Sequence, residues 1–183
     1  MRFLGLFLLL LLTPVAASAG IGLFTEVTGD TRLQRGEVYL VAAPGVDVEE
    51  DDIVETGSDA SAQMEMSDGT LLKLGAGSRL LLADYKFDNG GNVVSAGLEV
   101  LSGWLRFAVS KLRSNGSRYA ISTPTMTIGI RGTTFDVDDC KTTLCRKGGG
   151  GSEQDATLPA EMLEAAVYVS VRDGQVVVSN PAG

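Results

Sequence analysis

The sequence predicts an all-β domain, and three observations carry that reading. Apolar and polar residues alternate along short runs, glycine-bearing turns cut those runs roughly every 8 to 12 residues, and only one short stretch has helical character. The first clear run sets Ala62, Met64 and Met66 against Ser61, Gln63 and Glu65. Asp68-Gly69 then turns the chain, and Leu72 and Leu74 resume the apolar face, which is a hairpin signature. Gly75-Ala76-Gly77-Ser78 breaks the chain ahead of a strand from Leu80 to Phe87, and Asp88-Asn89-Gly90-Gly91 breaks it again before Val93. Leu98 and Val100 lead to a further break at Ser102-Gly103, after which Leu105, Phe107 and Val109 share one face and Trp104, Arg106 and Ala108 the other.

Asn115-Gly116 separates that strand from Tyr119 to Thr123, and Thr123-Pro124 imposes an extended or turning backbone. Near the C-terminus Val167, Val169 and Val171 alternate with Tyr168, Ser170 and Arg172; Asp173-Gly174 reads as the turn of a closing hairpin with Val176 and Val178. Periodicity does not choose among a β-sandwich, a barrel, a β-roll and a solenoid-like stack.

The most informative segment runs from Ile121 to Val137. Ile128 and Ile130 point one way and Phe135 and Val137 continue after a break, while Thr127, Thr134 and Asp136 face the other side. The break is Arg131-Gly132-Thr133, so Gly132 reads as a bulge or a close backbone approach. Arg131 can lay its stem on the sheet and aim its planar fork at a carboxylate or at carbonyls. Pro124, Arg131, Gly132, Thr133, Phe135 and Asp136 therefore form a candidate motif, either a structural latch or a partner contact.

Residues 1–19 read as a leader for export: Met1-Arg2 is a minimal basic start, Phe3 to Leu12 a leucine-dominated apolar core, and Ala17-Ser18-Ala19 a small-x-small cleavage site before Gly20. The apolar run is short for a membrane span, so no span is expected once it is removed, and residues 20–183 make one domain. The formal net charge is −8, which disfavours nucleic acid and anionic membrane as partners. Cys140 and Cys145, the only cysteines, are an even pair in an exported chain and suggest a disulfide worth about 2 kcal/mol; a redox pair would be spaced C-x-x-C.

Two segments depart from the strand rhythm. Asp47 to Asp52, DVEEDD, lacks the acid-glycine spacing of a calcium loop and reads as a solvated face. Lys147 to Thr157 has the composition of a tether, and Leu158 to Ala166 that of a short helix with proline in its first turn. Together they suggest an insertion over 138–166.

The chain has no histidine, which closes the commonest routes to an activated nucleophile or a catalytic metal. Asp68, Asp84, Asp136 and Asp173 could in principle supply a carboxylate pair. Asp68 and Asp173 fall in turns, however, and Asp136 is expected to face outward with Arg131 as its partner. No catalytic residue, metal ligand or cofactor is assigned, and the reading is non-enzymatic.

Four blocks resemble the FecR domain, named after a periplasmic iron-dicitrate sensor: TGSDASAQMEMSDGTLLKLGAGSRLLL from Thr56 to Leu82, GLEVLSGWLRFAVSKL from Gly97 to Leu112, STPTMTIGIRGTTFDV from Ser122 to Val137, and VRDGQVVVSN from Val171 to Asn180. The resemblance implies a β-rich periplasmic or cell-surface domain that binds proteins. In its best-known members the domain follows a membrane helix and a cytoplasmic anti-sigma segment, and relays the occupancy of an outer-membrane transporter to a sigma factor; here a leader is expected directly before the β domain. Asp51-Asp52 stands where the family often has glycine-aspartate, and the insertion replaces what is normally a tight hairpin.

The resulting expectation is an exported domain, periplasmic or secreted, that binds another envelope protein, with edge strands open to β-augmentation. The alternative is a carbohydrate or cell-wall module using Trp104 and Tyr168, with Tyr85 and Tyr119, as exposed platforms. If Arg131 serves a buried carboxylate or carbonyl, Arg131→Ala should lower stability in urea by about 1–3 kcal/mol; an unchanged melting temperature with lost partner binding would assign it to the partner instead.

Overall fold

The computed structural model describes residues 20–90, 92–108, 118–140 and 166–179, apart from the side chains at 131, 132, 140 and 166. The leader, the C-terminal part of the expected insertion with its short helix, and Cys145 lie outside them.

Every described element is a strand: β1 (Gly22–Thr28), β2 (Thr31–Arg35), β3 (Val38–Val41), β4 (Asp47–Val48), β5 (Ile53–Thr56), β6 (Ser61–Met66), β7 (Leu71–Leu74), β8 (Arg79–Phe87), β9 (Val93–Ala108), β10 (Arg118–Ser122), β11 (Thr127–Cys140) and β12 (Ala166–Ser179). They form one hydrogen-bonded sheet whose main path runs β3-β2-β5-β8-β9-β7-β6-β1-β4. β10 lies parallel to β9, β11 pairs antiparallel with β10, and β11 returns to pair with β9. That circuit closes a small barrel, with the remaining strands as extensions. The choice left open by periodicity is thus settled by closure.

β9 is the hub because its two halves serve different neighbours. Its first half pairs with β8 and β10, and its second half with β7 and β11. Ala96, Leu98 and Val100 are buried in the first half, but Leu105 and Phe107 in the second, so the inward face changes from even to odd positions. The sequence pattern suggested a strand break at Ser102-Gly103; the chain instead continues as one 16-residue strand. Gly103, at φ 82°, and a register shift between Arg79 and Leu80 absorb the change of face.

Backbone groups around this bulge are satisfied by two buried hydroxyls. Ser78 Oγ donates to the Trp104 carbonyl (3.0 Å) and accepts from the Trp104 amide (2.9 Å). Thr56 Oγ1 donates to the Gly75 carbonyl (2.6 Å) and accepts from the Ser78 amide (2.9 Å). Such satisfaction matters, because an unpaired buried amide or carbonyl costs about 1–3 kcal/mol.

The same change of face recurs at the other end of the sheet. Val167 to Ser179 does not fold back at Asp173-Gly174 into the expected hairpin; β12 runs straight through, paired with β11 along its length. Gly174, at φ 90°, instead accommodates a bulge. Asp138, Asp139 and Cys140, with which the expected insertion began, continue β11 and pair with Tyr168, Val167 and Ala166.

Alternation elsewhere follows the sequence closely. Ala62, Met64, Met66, Leu72 and Leu74 are all buried in one core cluster that also holds Phe24, Leu33 and Leu80. At the barrel, Phe107 packs at a tilt against Phe135 (centroids 5.4 Å apart) and meets Tyr119 edge-on (5.7 Å), so one ring joins β9, β10 and β11.

A side chain at position 103 would be strained twice, by the positive φ and by a Cβ that would lie 2.6 Å from Ser78 Cα. Gly103→Ala should therefore lower the unfolding free energy in urea by at least about 2 kcal/mol, whereas Gly36→Ala, whose added methyl would meet nothing within 4 Å, should cost about 1–2 kcal/mol through its backbone alone.

Candidate functional site

The Ile121–Val137 motif lies where β10, β11 and β12 meet. Thr123 shapes the turn that carries Pro124: its amide donates to the Met126 carbonyl (2.9 Å), and its hydroxyl accepts from the Thr125 and Met126 amides. Pro124 itself is exposed. Arg131-Gly132-Thr133 is a bulge, since the pairing with β12 shifts between Arg131 and Thr134. Thr133, 1% exposed, bridges the irregularity by donating to the Gln175 carbonyl (2.7 Å) and accepting from its amide (3.2 Å). Phe135 beyond it is in the core.

Asp136 does not face solvent as its alternation suggested; it is buried to 7% exposure. Arg106 Nε and a terminal nitrogen grip its two carboxylate oxygens at 2.7 and 3.0 Å, and Arg172 Nε adds a third bond at 2.9 Å. The register places Arg106 of β9 directly across from Asp136, while the side chain of Arg131, the partner expected from its nearness in the chain, lies outside the described residues. Arg172 reaches the same carboxylate from β12. Its hydrogen bonds to the Asp136 carboxylate, working against partial burial, raise Arg106 above the ordinary arginine value. A carboxylate holding three donors is a structural acceptor, and this arrangement offers no free base.

Arg106 also stacks over the ring of Trp104, its guanidinium carbon 5.1 Å from the centroid. Trp104 is 6% exposed, so it is no surface platform. Gly75 packs directly on it: a methyl there would lie 2.9 Å from Trp104 Cε3. Tyr85 and Tyr119 are buried too, and burial, with a smaller contribution from the charge of Asp68, pushes the Tyr85 phenol up. Tyr168 is half-buried.

The acidic run is also more than a solvated face. Asp52 is fully buried and takes both Arg35 Nε (2.9 Å) and a terminal Arg35 nitrogen (2.7 Å), plus the Glu49 amide (2.7 Å). Arg35 simultaneously reaches the Glu49 carboxylate (2.6 Å) and the Asp47 carbonyl (3.0 Å). The Asp52 hydrogen bond is the main reason its guanidinium lies above the ordinary value. Glu50 accepts the Tyr85 amide (3.1 Å), and Asp51 adopts a left-handed φ of 67°. An arginine on β2 thus ties the run to the core, a contact that sequence spacing does not reveal because seventeen positions separate Arg35 from Asp52.

Three strands form edges among the described residues: β3, β4 and β12 each have a single partner. β4 is two residues long. β12 carries Arg172, Asp173 and a mid-strand bulge, features that discourage strand addition. β3 has none of these defences: Val38, Tyr39, Leu40 and Val41 are 58%, 58%, 37% and 82% exposed, with no charge or proline among them. Among the described residues there is no acidic or sulfur cluster fit for a metal ion, and no helix long and apolar enough to cross a membrane.

These features define an all-β barrel domain with charge-locked outer strands and one unguarded apolar edge. The model of the FecR protein family matches residues 52–177, more than half of the chain, and the protein belongs to that family. The match begins at the buried Asp52, so Arg35 links the strands before the matched region to its first residue. Among curated proteins none matches. A crystal structure of a presumed anti-sigma factor from Parabacteroides distasonis is similar at 20% identity and a TM-score of 0.47, over 72% of this chain and 48% of that one; the chain spans about half the length of that protein.

Removing Arg35 alone strands a buried carboxylate. Arg35→Met should cost about 3–5 kcal/mol in chemical denaturation, and adding Asp52→Leu to it should restore most of that loss; equal instability of single and double variants would show that the packing of Arg35, not its charge, holds the run.

Proposed function

We propose that this FecR-family protein is an exported, non-enzymatic domain that senses or assembles by binding another protein of the cell envelope, and that β3 is where the partner adds a strand. Membership of the FecR family supports a signal-sensing role, and the leader-like residues 1–19 support a periplasmic or secreted location. The observation that carries the reading is the exposed edge of Val38–Val41, apolar on both faces. Such an edge supplies main-chain donors and acceptors for affinity, and alternate side-chain positions for selection. The carbohydrate alternative loses most of its support, since Trp104, Tyr85 and Tyr119 are buried.

Val41 is the natural probe because it is 82% exposed and its replacement disturbs no packing. Crosslinking of the full protein in the cell envelope should recover a protein partner, and Val41→Lys should abolish recovery while leaving the melting temperature within about 1 °C. Undiminished recovery with Val41→Lys would reject the β3 edge. Repeated failure of the unaltered protein to capture any protein would reject the binding role.

A further inference from the structure

We propose that cleavage after Ala19 leaves Gly20 with a free ammonium that docks beside the carboxylates of Asp47 and Glu65, fastening the first strand with a charge that the uncleaved chain does not possess. The proposal rests on the reading of residues 1–19 as a removable leader.

The position of Gly20 is fixed by its neighbour. The Ile21 amide donates to the Val48 carbonyl (2.8 Å), and the Ile21 carbonyl accepts from the Ser67 amide (2.8 Å), so the backbone is held between β4 and the turn after β6. Gly20 lies against Asp47: a methyl built on it would be 3.3 Å from Asp47 Cβ and 3.5 Å from its carboxyl carbon. An open cavity of about 380 Å³, lined by Gly20, Asp47, Glu65, Met66 and Ser67 among others, lies at this end of the sheet. An amine at Gly20 therefore enters an open space lined by two acidic residues, with the Asp47 carboxylate the nearer.

The surrounding charges favour a cation. Asp47 on β4 and Glu65 on β6 line the cavity. Arg35 on β2 approaches only the Asp47 carbonyl, and its guanidinium is committed to Glu49 and Asp52. Asp68, in the turn after β6, receives the Thr70 amide and hydroxyl instead. In the uncleaved chain the Gly20 nitrogen is an amide and carries no charge. A single residue added ahead of Gly20 moves the amine by up to about 3.5 Å.

The sign of the pH dependence follows. An ammonium beside carboxylates has its folded-state value raised above the unfolded value of about 8. Its contribution is complete below that value and is lost as pH rises through the folded one. The chain has no histidine to titrate nearby.

The test uses protein processed in the cell envelope, its start read by N-terminal sequencing and its melting temperature followed from pH 7 to 9.5. Three forms are compared: the processed protein, the Asp47→Asn/Glu65→Gln variant, and a form with one alanine ahead of Gly20, which keeps both cysteines. The processed protein should begin at Gly20 and lose about 1–3 °C over this range, and the other two should lose less than half as much. Parallel losses in all three, with a start at Gly20, would overturn the docking and leave export intact. A start elsewhere would overturn both.

Discussion

A β-strand can bury only every second residue, and this protein depends on evading that limit within single long strands. β9 must present even positions to the β8 side and odd positions to the barrel, because its two halves pack against different neighbours. One residue out of phase would turn Leu105 and Phe107 to solvent, and with them the ring contacts that join β9 to β10 and β11. The bulge at Gly103 resolves the conflict, and the hydroxyls of Ser78 and Thr56 supply the hydrogen bonds that the irregular backbone needs.

Charge is used outside this core to lock strands that the apolar interior reaches only from one side. Asp136 draws Arg106 and Arg172 from two flanking strands, and Asp52 draws Arg35 from a third. Both carboxylates are buried while the arginines remain partly exposed, so the desolvation penalty falls mainly on the carboxylates and only in part on the guanidinium groups. The locks explain why a strongly acidic chain tolerates carboxylates inside its sheet.

Much of the fold was readable in the sequence because alternation is a local signal. The hairpin of Ala62–Leu74, the strand from Leu80 to Phe87 and the bulge at Gly132 all came from neighbouring residues. Ser102-Gly103 and Asp173-Gly174 were ambiguous for a physical reason: a change of inward face beside a glycine marks a turn or a bulge equally well, and only the strands on either side decide. The same limit hid the partners of Asp136 and Asp52, which are set by register across the sheet. Trp104 shows the converse failure, since alternation placed it outward correctly but could not foresee that Gly75 and Arg106 would cover it.

The pairing of β11 with β12 contains two irregularities in immediate succession, one between Arg131 and Thr134 and one between Thr134 and Phe135. The first adds a residue to β11 and the second adds one to β12, so their effects cancel and the strands leave the region in their original alignment. Loss of either alone would leave the valines beyond it matched to the wrong neighbours. Positions 131–134 and 171–174 are therefore bound to a shared evolutionary fate: insertions or deletions in one loopless stretch are tolerable only when mirrored in the other, and related sequences should gain or lose the two together.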